Sequence, residues 1–251
     1  MPTIRIATFN VFYGTEPVKI AAAIKSNQNL KNTDIILLQE IEAHADEGKE
    51  RAGAIAEELG LGWIYAPARE SGKETKLHGT HGLAILSKFP IKEFEIIPLR
   101  KYNLGYNSRK RIALNAIIDV DGDLIQVCNV HLDLRINIKD RISQITDVVD
   151  KIENHHIKKV VMGGDFNTTP ILWALRLFPI FYSGQRKKFN IFLLKKGFQS
   201  EFLKIGYTMQ QKLIKFSLDS IYSKGLKVTN FGIERDVKVS DHKPVWVDIQ
   251  L

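Results

Sequence analysis

A mixed α+β fold, with β-sheets carrying helices on their outer sides, is what this sequence predicts. Three observations lead there: short apolar β-branched runs, one long amphipathic helical stripe, and a hairpin signal that breaks strict strand-helix alternation. The runs read as strands over Ile4 to Val11, Asp34 to Gln39, Gly82 to Ser87, Ala113 to Val120, Leu124 to Val130, Lys159 to Gly163, Leu218 to Tyr222 and Val245 to Leu251. Asp121-Gly122, between two of them, is a residue pair that tolerates the positive φ of a tight hairpin turn. Ile138, Ile142, Ile145, Val149 and Ile152 recur at three and four, which lays one apolar stripe along a helix. Pro17, suited to a first helical turn, opens a second helix through AAAIKSNQNL. A third runs from Lys49 to Leu59 and stops at Gly60. The stretches Glu70 to His81, Arg100 to Arg111 and Phe181 to Lys196 fit no period and are expected to be irregular; two of them are strongly basic. With no repeat and no flexible linker, residues 1–251 are expected to form one domain.

At 44% hydrophobic and 25% charged, the 251 residues have ordinary globular composition. No apolar run reaches the roughly 18 residues of a membrane span, and MPTIRIATFN lacks the basic-then-apolar pattern of a signal peptide. A cytoplasmic monomer without stable membrane insertion is the expectation. The single cysteine, Cys128, rules out an internal disulfide and a cysteine-built zinc site, leaving oxygen and imidazole as metal donors. A net charge of +8 favours polyanionic partners, although a solvated basic surface accounts for it equally well.

Polar residues that end or interrupt buried strands are costly unless they act, since an unpaired buried polar group costs on the order of 1–3 kcal/mol. Here Asn10 follows IRIATF, Glu40 follows DIILLQ, His131 follows IQVCNV, and Asp165 and Asn167 follow VVMGG. Asp219 lies inside FSLDSIYS, and Asp241 and His242 precede PVWVDI. Singly, each is a turn or cap residue. Together they offer what phosphate-ester hydrolysis demands: hard oxygen ligands for Mg²⁺, or Mn²⁺ in its place, and polar groups to align a water and offset charge. In an extended GDFNTTP segment, Asp165 and Asn167 would share a face while Phe166 turned into the core. The two glycines before them would let a phosphate approach the backbone.

The ordered blocks FN, LQE, NVHLD, GDFNTTP, LDSI and SDHKP resemble the endonuclease/exonuclease/phosphatase superfamily, whose members include deoxyribonuclease-I-like enzymes. The resemblance runs from Ile4 to Leu251. It implies a four-layer α/β/β/α sandwich of two packed, mostly antiparallel sheets, with a metal-dependent phosphoesterase site at one sheet edge. It implies Glu40 as principal metal ligand with Asn10 and Asp241 beside it, and Asp165 and Asn167 holding water and phosphate. His242 is then base or charge stabiliser, His131 a donor to phosphoryl or leaving oxygen, and Asp219 the partner of one of those imidazoles.

Arg109 and Arg111 in NSRKRIAL read either as a phosphate grip or as a solvated basic turn. His81 reads as a site neighbour or a surface histidine, and His155 and His156 as the cationic end of a helix. Histidine in NVHLD departs from the abasic-endonuclease pattern, and SLDSI from that of the inositol polyphosphate phosphatases. The basic balance leads to nucleic acid as substrate and to a DNA endonuclease using its basic loops. The alternative is a phosphodiesterase or phosphatase acting on a small phosphorylated molecule or a phospholipid head group. A catalytically silent binding module is disfavoured because every matched residue is present.

Overall fold

The computed structural model describes residues 2–70, 79–102, 109–174, 178–201 and 206–251, so parts of two expected loops, 71–78 and 103–108, lie outside it. The chain begins β1 (Thr3–Tyr13), α1 (Pro17–Ser26), β2 (Ile35–His44), α2 (Arg51–Leu59), β3 (Gly62–Glu70), β4 (Gly79–Ser87) and β5 (Ile91–Pro98). It continues β6 (Ile112–Val120), β7 (Asp123–His131), α3 (Ile138–Asn154), β8 (Val160–Asp165), β9 (Ile171–Ala174), β10 (Phe178–Phe181) and α4 (Gly184–Lys195). It closes with β11 (Met209–Gln211), β12 (Ile214–Phe216), β13 (Asp219–Lys224), β14 (Lys227–Ile233) and β15 (Val245–Gln250).

Two sheets carry the fold, ordered β14-β15-β1-β2-β4-β3 and β13-β8-β7-β6-β5. Strand pairing is antiparallel except for β1 with β2 and β7 with β8, each joined through a helix. One core fills the space between the sheets, with Ile6, Leu37 and Ile85 from one and Leu114, Val127 and Val161 from the other. A second core seats α1 and α2 on the first sheet through Ile20, Ile24 and Ile55 against Phe9 and Leu38. A third seats α3 and α4 on the second sheet through Ile145, Val149, Phe189 and Leu193 against Val130 and Met162. The layers are therefore helix, sheet, sheet, helix, as the resemblance implied.

The alternating strands bury one face between sheets and the other under helices, which is why their apolar runs are nearly continuous. Buried amides cross the inter-sheet space: Gln39 Nε2 donates to Asn129 Oδ1 at 2.7 Å, and Asn129 Nδ2 donates to the carbonyls of Leu38 and Ala84, both at 2.8 Å. Asp121 and Gly122, at φ 53° and 96°, form the expected hairpin turn. Phe181 to Lys196 departs from expectation, because most of it is α4. Gln185, Phe189 and Leu193, four residues apart, are its buried face, and its lysines decorate the outside.

The glycines of VVMGGD serve packing, and phosphate approach is not what they accommodate. A Cβ on Gly163 would meet Leu37 Cδ1 of the opposite sheet at 2.8 Å, and one on Gly164, at φ 146°, would collide with the Val130 carbonyl of β7. Gly164→Ala is expected to cost roughly 3 kcal/mol or more, seen as a lowered urea midpoint at unchanged slope. A midpoint within error of the natural chain would show that β8 can shift to accept the methyl.

Candidate active site

Four of the expected residues meet toward the carboxyl ends of the two parallel strand pairs, where open parallel strands place ligands. Asn10 and Glu40 come from β1 and β2, and His131 and Asp165 form the last pair of the β7/β8 ladder. Asn10 Nδ2 donates to Asp165 Oδ2 at 3.2 Å, bridging the sheets. His131 Nε2 lies 3.7 Å from Glu40 Oε1 and 3.6 Å from Asp165 Oδ2.

Glu40 reaches this point through a distortion. The β1/β2 and β2/β4 ladders both lose register there, and Glu40 sits in the left-handed region at φ 56°. A bulge of this kind re-aims one side chain at the expense of strain. Phe12 and Tyr13, at φ 45° and 69°, make a second distortion just beyond Asn10, whose Oδ1 accepts the Phe12 N–H at 3.1 Å.

Asp165 and Asn167 are brought together by a turn. Asn167 is left-handed at φ 50°, and its N–H donates to Asp165 Oδ1 at 2.9 Å, so the extended geometry expected from their spacing does not occur. Asn167 Nδ2 donates to the Leu132 carbonyl at 2.9 Å. Phe166 does turn into the core, against Tyr222 at 5.1 Å and Phe189 at 5.7 Å between ring centroids.

The partner of Asp219 is His242. Its Nδ1 lies 2.8 Å from Asp219 Oδ2, and its Nε2 points toward Asp165 Oδ2 at 3.9 Å. Burial opposes charge on His242, but the charge of Asp219 and this hydrogen bond outweigh it and raise the pKa to about 10. Burial, then the charge of Asp219, push Asp165 up to about 7. Asp241 stands beside this pair: the Ser240 hydroxyl donates to the Asn10 carbonyl at 2.8 Å and accepts the His242 N–H at 3.2 Å, holding the Asp241 turn over β1.

His131 lives under the opposite regime. Arg111 Nη1 is 3.0 Å from its Nδ1, and because a guanidinium only donates, Nδ1 must accept and the ring proton sits on Nε2. Burial first and the Arg111 charge second hold its pKa well below the usual histidine range. Arg111 is thus buried and is no solvated turn; Arg109 is exposed and, with Arg111 and Arg135, lines a cleft of about 370 Å³ that also reaches Glu40, Asp165 and His242.

Sequence reasoning left His81 undecided. It is buried on β4, its ligand atoms cluster with those of Glu40 and His131, and its Nδ1 lies 3.7 Å from Glu42 Oε1. Asp133, buried beside the cleft and acting on Arg111, was not singled out; its signal was the NVHLD block itself. His155, 3.4 Å from Glu95, lies at the far end of α3.

A divalent cation fits this donor set. Glu40, Asp165 and Asp219 crowd carboxylates into one buried region whose mutual repulsion raises Asp165, and a cation there relieves it. Each of the two donor clusters, Glu40 with His81 and His131 and Asp165 and Asp219 with His242, mixes carboxylate oxygen with imidazole nitrogen.

The endonuclease/exonuclease/phosphatase family model matches residues 7–242. No curated protein sequence matches the chain significantly. Among solved structures, an endonuclease/exonuclease/phosphatase from Beutenbergia cavernae superposes with TM-score 0.78 at 16% identity, over 100% of this chain and 72% of that one. The human nocturnin catalytic domain with bound sulfate gives 0.72 at 18%, covering 99% and 93%. Caenorhabditis elegans TDP2 gives 0.66 at 19%, covering 100% and 75%. By family match, by fold and by a cleft built from the residues its motifs pick out, the chain belongs to the endonuclease/exonuclease/phosphatase family, whose reaction is metal-dependent hydrolysis of a phosphoester.

Proposed function

We propose that the chain is a single-domain phosphodiesterase in which Asn10, Glu40 and Asp241 hold Mg²⁺ or Mn²⁺ while Asp165, Asn167, Asp219, His242 and His131 work on the scissile phosphate. The observation that carries this reading is the pair of oppositely tuned histidines facing Asp165 across one cleft. Bound there, the cation would supply positive charge to the phosphoryl oxygens and acidify a water. His242, held cationic by Asp219, offers Nε2–H to a non-bridging oxygen. His131, held neutral by Arg111, offers its Nε2–H to a second oxygen or to the leaving group. Asp165, whose carboxylate faces both histidines, is placed to take the proton of the attacking water. Asn167 fixes Asp165 through its N–H, and Arg109 and Arg111 attract the phosphodiester.

Net charge and the three cleft arginines support nucleic acid, DNA first, as substrate. A phospholipid head group is the second reading, favoured by exposed apolar hairpins at the cleft edge. Relaxation of a supercoiled plasmid and head-group release from vesicles, each with Mg²⁺ and with EDTA, separate the two. Activity unchanged in both Glu40→Gln and His242→Ala would remove the assignment altogether.

Cation binding should also release protons. At about pH 6 Asp165 is largely protonated in the absence of metal, so Mg²⁺ or Mn²⁺ should displace close to one proton. Calorimetric titration in two buffers of different ionisation enthalpy measures it, and Asp165→Asn should abolish it. Equal heats in both buffers would place the cation elsewhere.

A further inference from the structure

Two hairpins stand at the mouth of the cleft, and neither has an assigned role. The β9/β10 ribbon begins at Ile171, which lines the cleft and pairs with Phe181. Every residue of β10 is exposed, so both faces of that strand meet solvent, with Phe181 at 79% and Phe178 at 61%. The β11/β12 hairpin is joined to the site by a bridge between Met209 and His242, and Met209 and Phe216 line the cleft. Its tip carries Leu213, 96% exposed, and Ile214, also exposed. Exposed Phe12, at the distorted end of β1 beside Asn10, and exposed Leu134, on the loop after β7 within the cleft lining, belong to the same mouth. Scattered apolar residues on a surface are ordinary, but several concentrated on protruding hairpins around one opening mark a contact surface.

The surrounding charge selects the partner. No acidic residue occurs between Asp165 and Glu201, and the start of α4, next to the ribbon, carries Arg186, Lys187 and Lys188. Lys187 and Lys188 are exposed on α4, whose first turn is tied to the ribbon because Gln185 Nε2 donates to the carbonyls of Thr169 and Ile171. The second tip likewise flanks Leu213 and Ile214 with exposed Lys212 and Lys215 and has no acid. Cations alone would suit a nucleic-acid backbone. Phe178 and Phe181 are able to stack on bases, but aliphatic Leu213, Ile214 and Ile180 are not, and an apolar tip flanked by lysines, as at Leu213 and Ile214, suits the boundary of an anionic bilayer.

We propose that the β9/β10 and β11/β12 hairpins are an interfacial anchor that seats the mouth of the cleft on an anionic phospholipid surface, presenting head-group phosphodiesters to it. This rests on the phospholipid reading of the substrate, yet the docking is measurable without turnover.

The test is co-sedimentation with vesicles of phosphatidylcholine containing about 30 mol % phosphatidylglycerol, in EDTA, beside a Phe181→Asp/Leu213→Asp variant. The natural chain should bind these vesicles and bind pure phosphatidylcholine at least about tenfold more weakly. The variant should lose at least about tenfold in affinity while hydrolysing a water-soluble aryl phosphodiester with Mg²⁺ at the natural rate, which shows that it is folded. Absence of vesicle binding by the natural chain, or equal binding by the variant, overturns the anchor. So does a short DNA duplex whose binding falls in the variant while vesicle binding stays. Vesicle binding that needs the hairpins, beside no head-group release from the same vesicles once Mg²⁺ is supplied, upholds the anchor and rejects the phospholipid as substrate.

Discussion

Replacing Glu40 by glycine is expected to give a protein that melts higher and hydrolyses nothing. Glu40 holds φ 56° at the point where β2 loses register with both neighbours, a conformation that costs a side-chain-bearing residue about 1 kcal/mol and glycine little. In EDTA, where no cation compensates, the melting temperature should rise by roughly 2–4 °C for a chain of this size. Hydrolysis should fall by roughly a thousandfold or more, the scale of losing a principal metal ligand. Glu40→Gln separates the two effects, since it keeps the strain and removes only the charge: relieved repulsion on Asp165 raises the melting temperature of both variants, the further rise in Glu40→Gly reports the strain, and the activity should go in both. A Glu40→Gly protein that melts lower, or that turns over substrate, would show that the bulge serves the fold and not the site.

Asp219→Asn should be the most informative change at the histidine end. With an amide in place of the carboxylate, only the weaker charges of Asp165 and Asp241 still oppose burial at His242, so its pKa should fall well below about 10. Turnover should fall by roughly a hundredfold to ten-thousandfold. Stability without metal should respond with a definite sign. A raised His242 pKa contributes stability that is fully present below pH 6.5 or so and is lost as pH climbs through about 10. Asp165, raised to about 7, slopes the same way in a lower window, from the ordinary carboxylate range up to neutrality. Asp219→Asn should therefore flatten the decline in urea stability between about pH 6 and pH 10. A chemical-shift titration of His242 that is unaltered by the change would dissociate the two residues.

Much of this was readable from the chain because buried strands advertise themselves. The strands recovered from the sequence include every interior one, and three long strands left unread, β3, β5 and β14, are all edges. An edge strand pairs on one side only and tolerates mixed exposure, so Phe94 and Ile96 of β5 face solvent and blur the period. Helix α4 was hidden because its three buried positions include Gln185, which is polar by type but buried for its hydrogen bonds to the β9 turn. Site membership was legible in the motif blocks. The tuning was not: Arg111 sets the tautomer of His131 from twenty residues away, and Asn10 meets Asp165 across a separation of 155. Local spacing cannot encode contacts made by docking two sheets.

That docking has an evolutionary reading. Asn10, Glu40, His131 and Asp165 belong to strands locked on both sides by core packing and cross-sheet amides, where substitution disturbs everything at once. The β9/β10 ribbon is tied down at its root by Gln185, and the β11/β12 tip stands exposed at Leu213. If the proposed roles hold, chemistry in this scaffold would stay with the strands while preference changed with the hairpins. Two descendants of one such chain can come to cut different esters while sharing every residue that cuts.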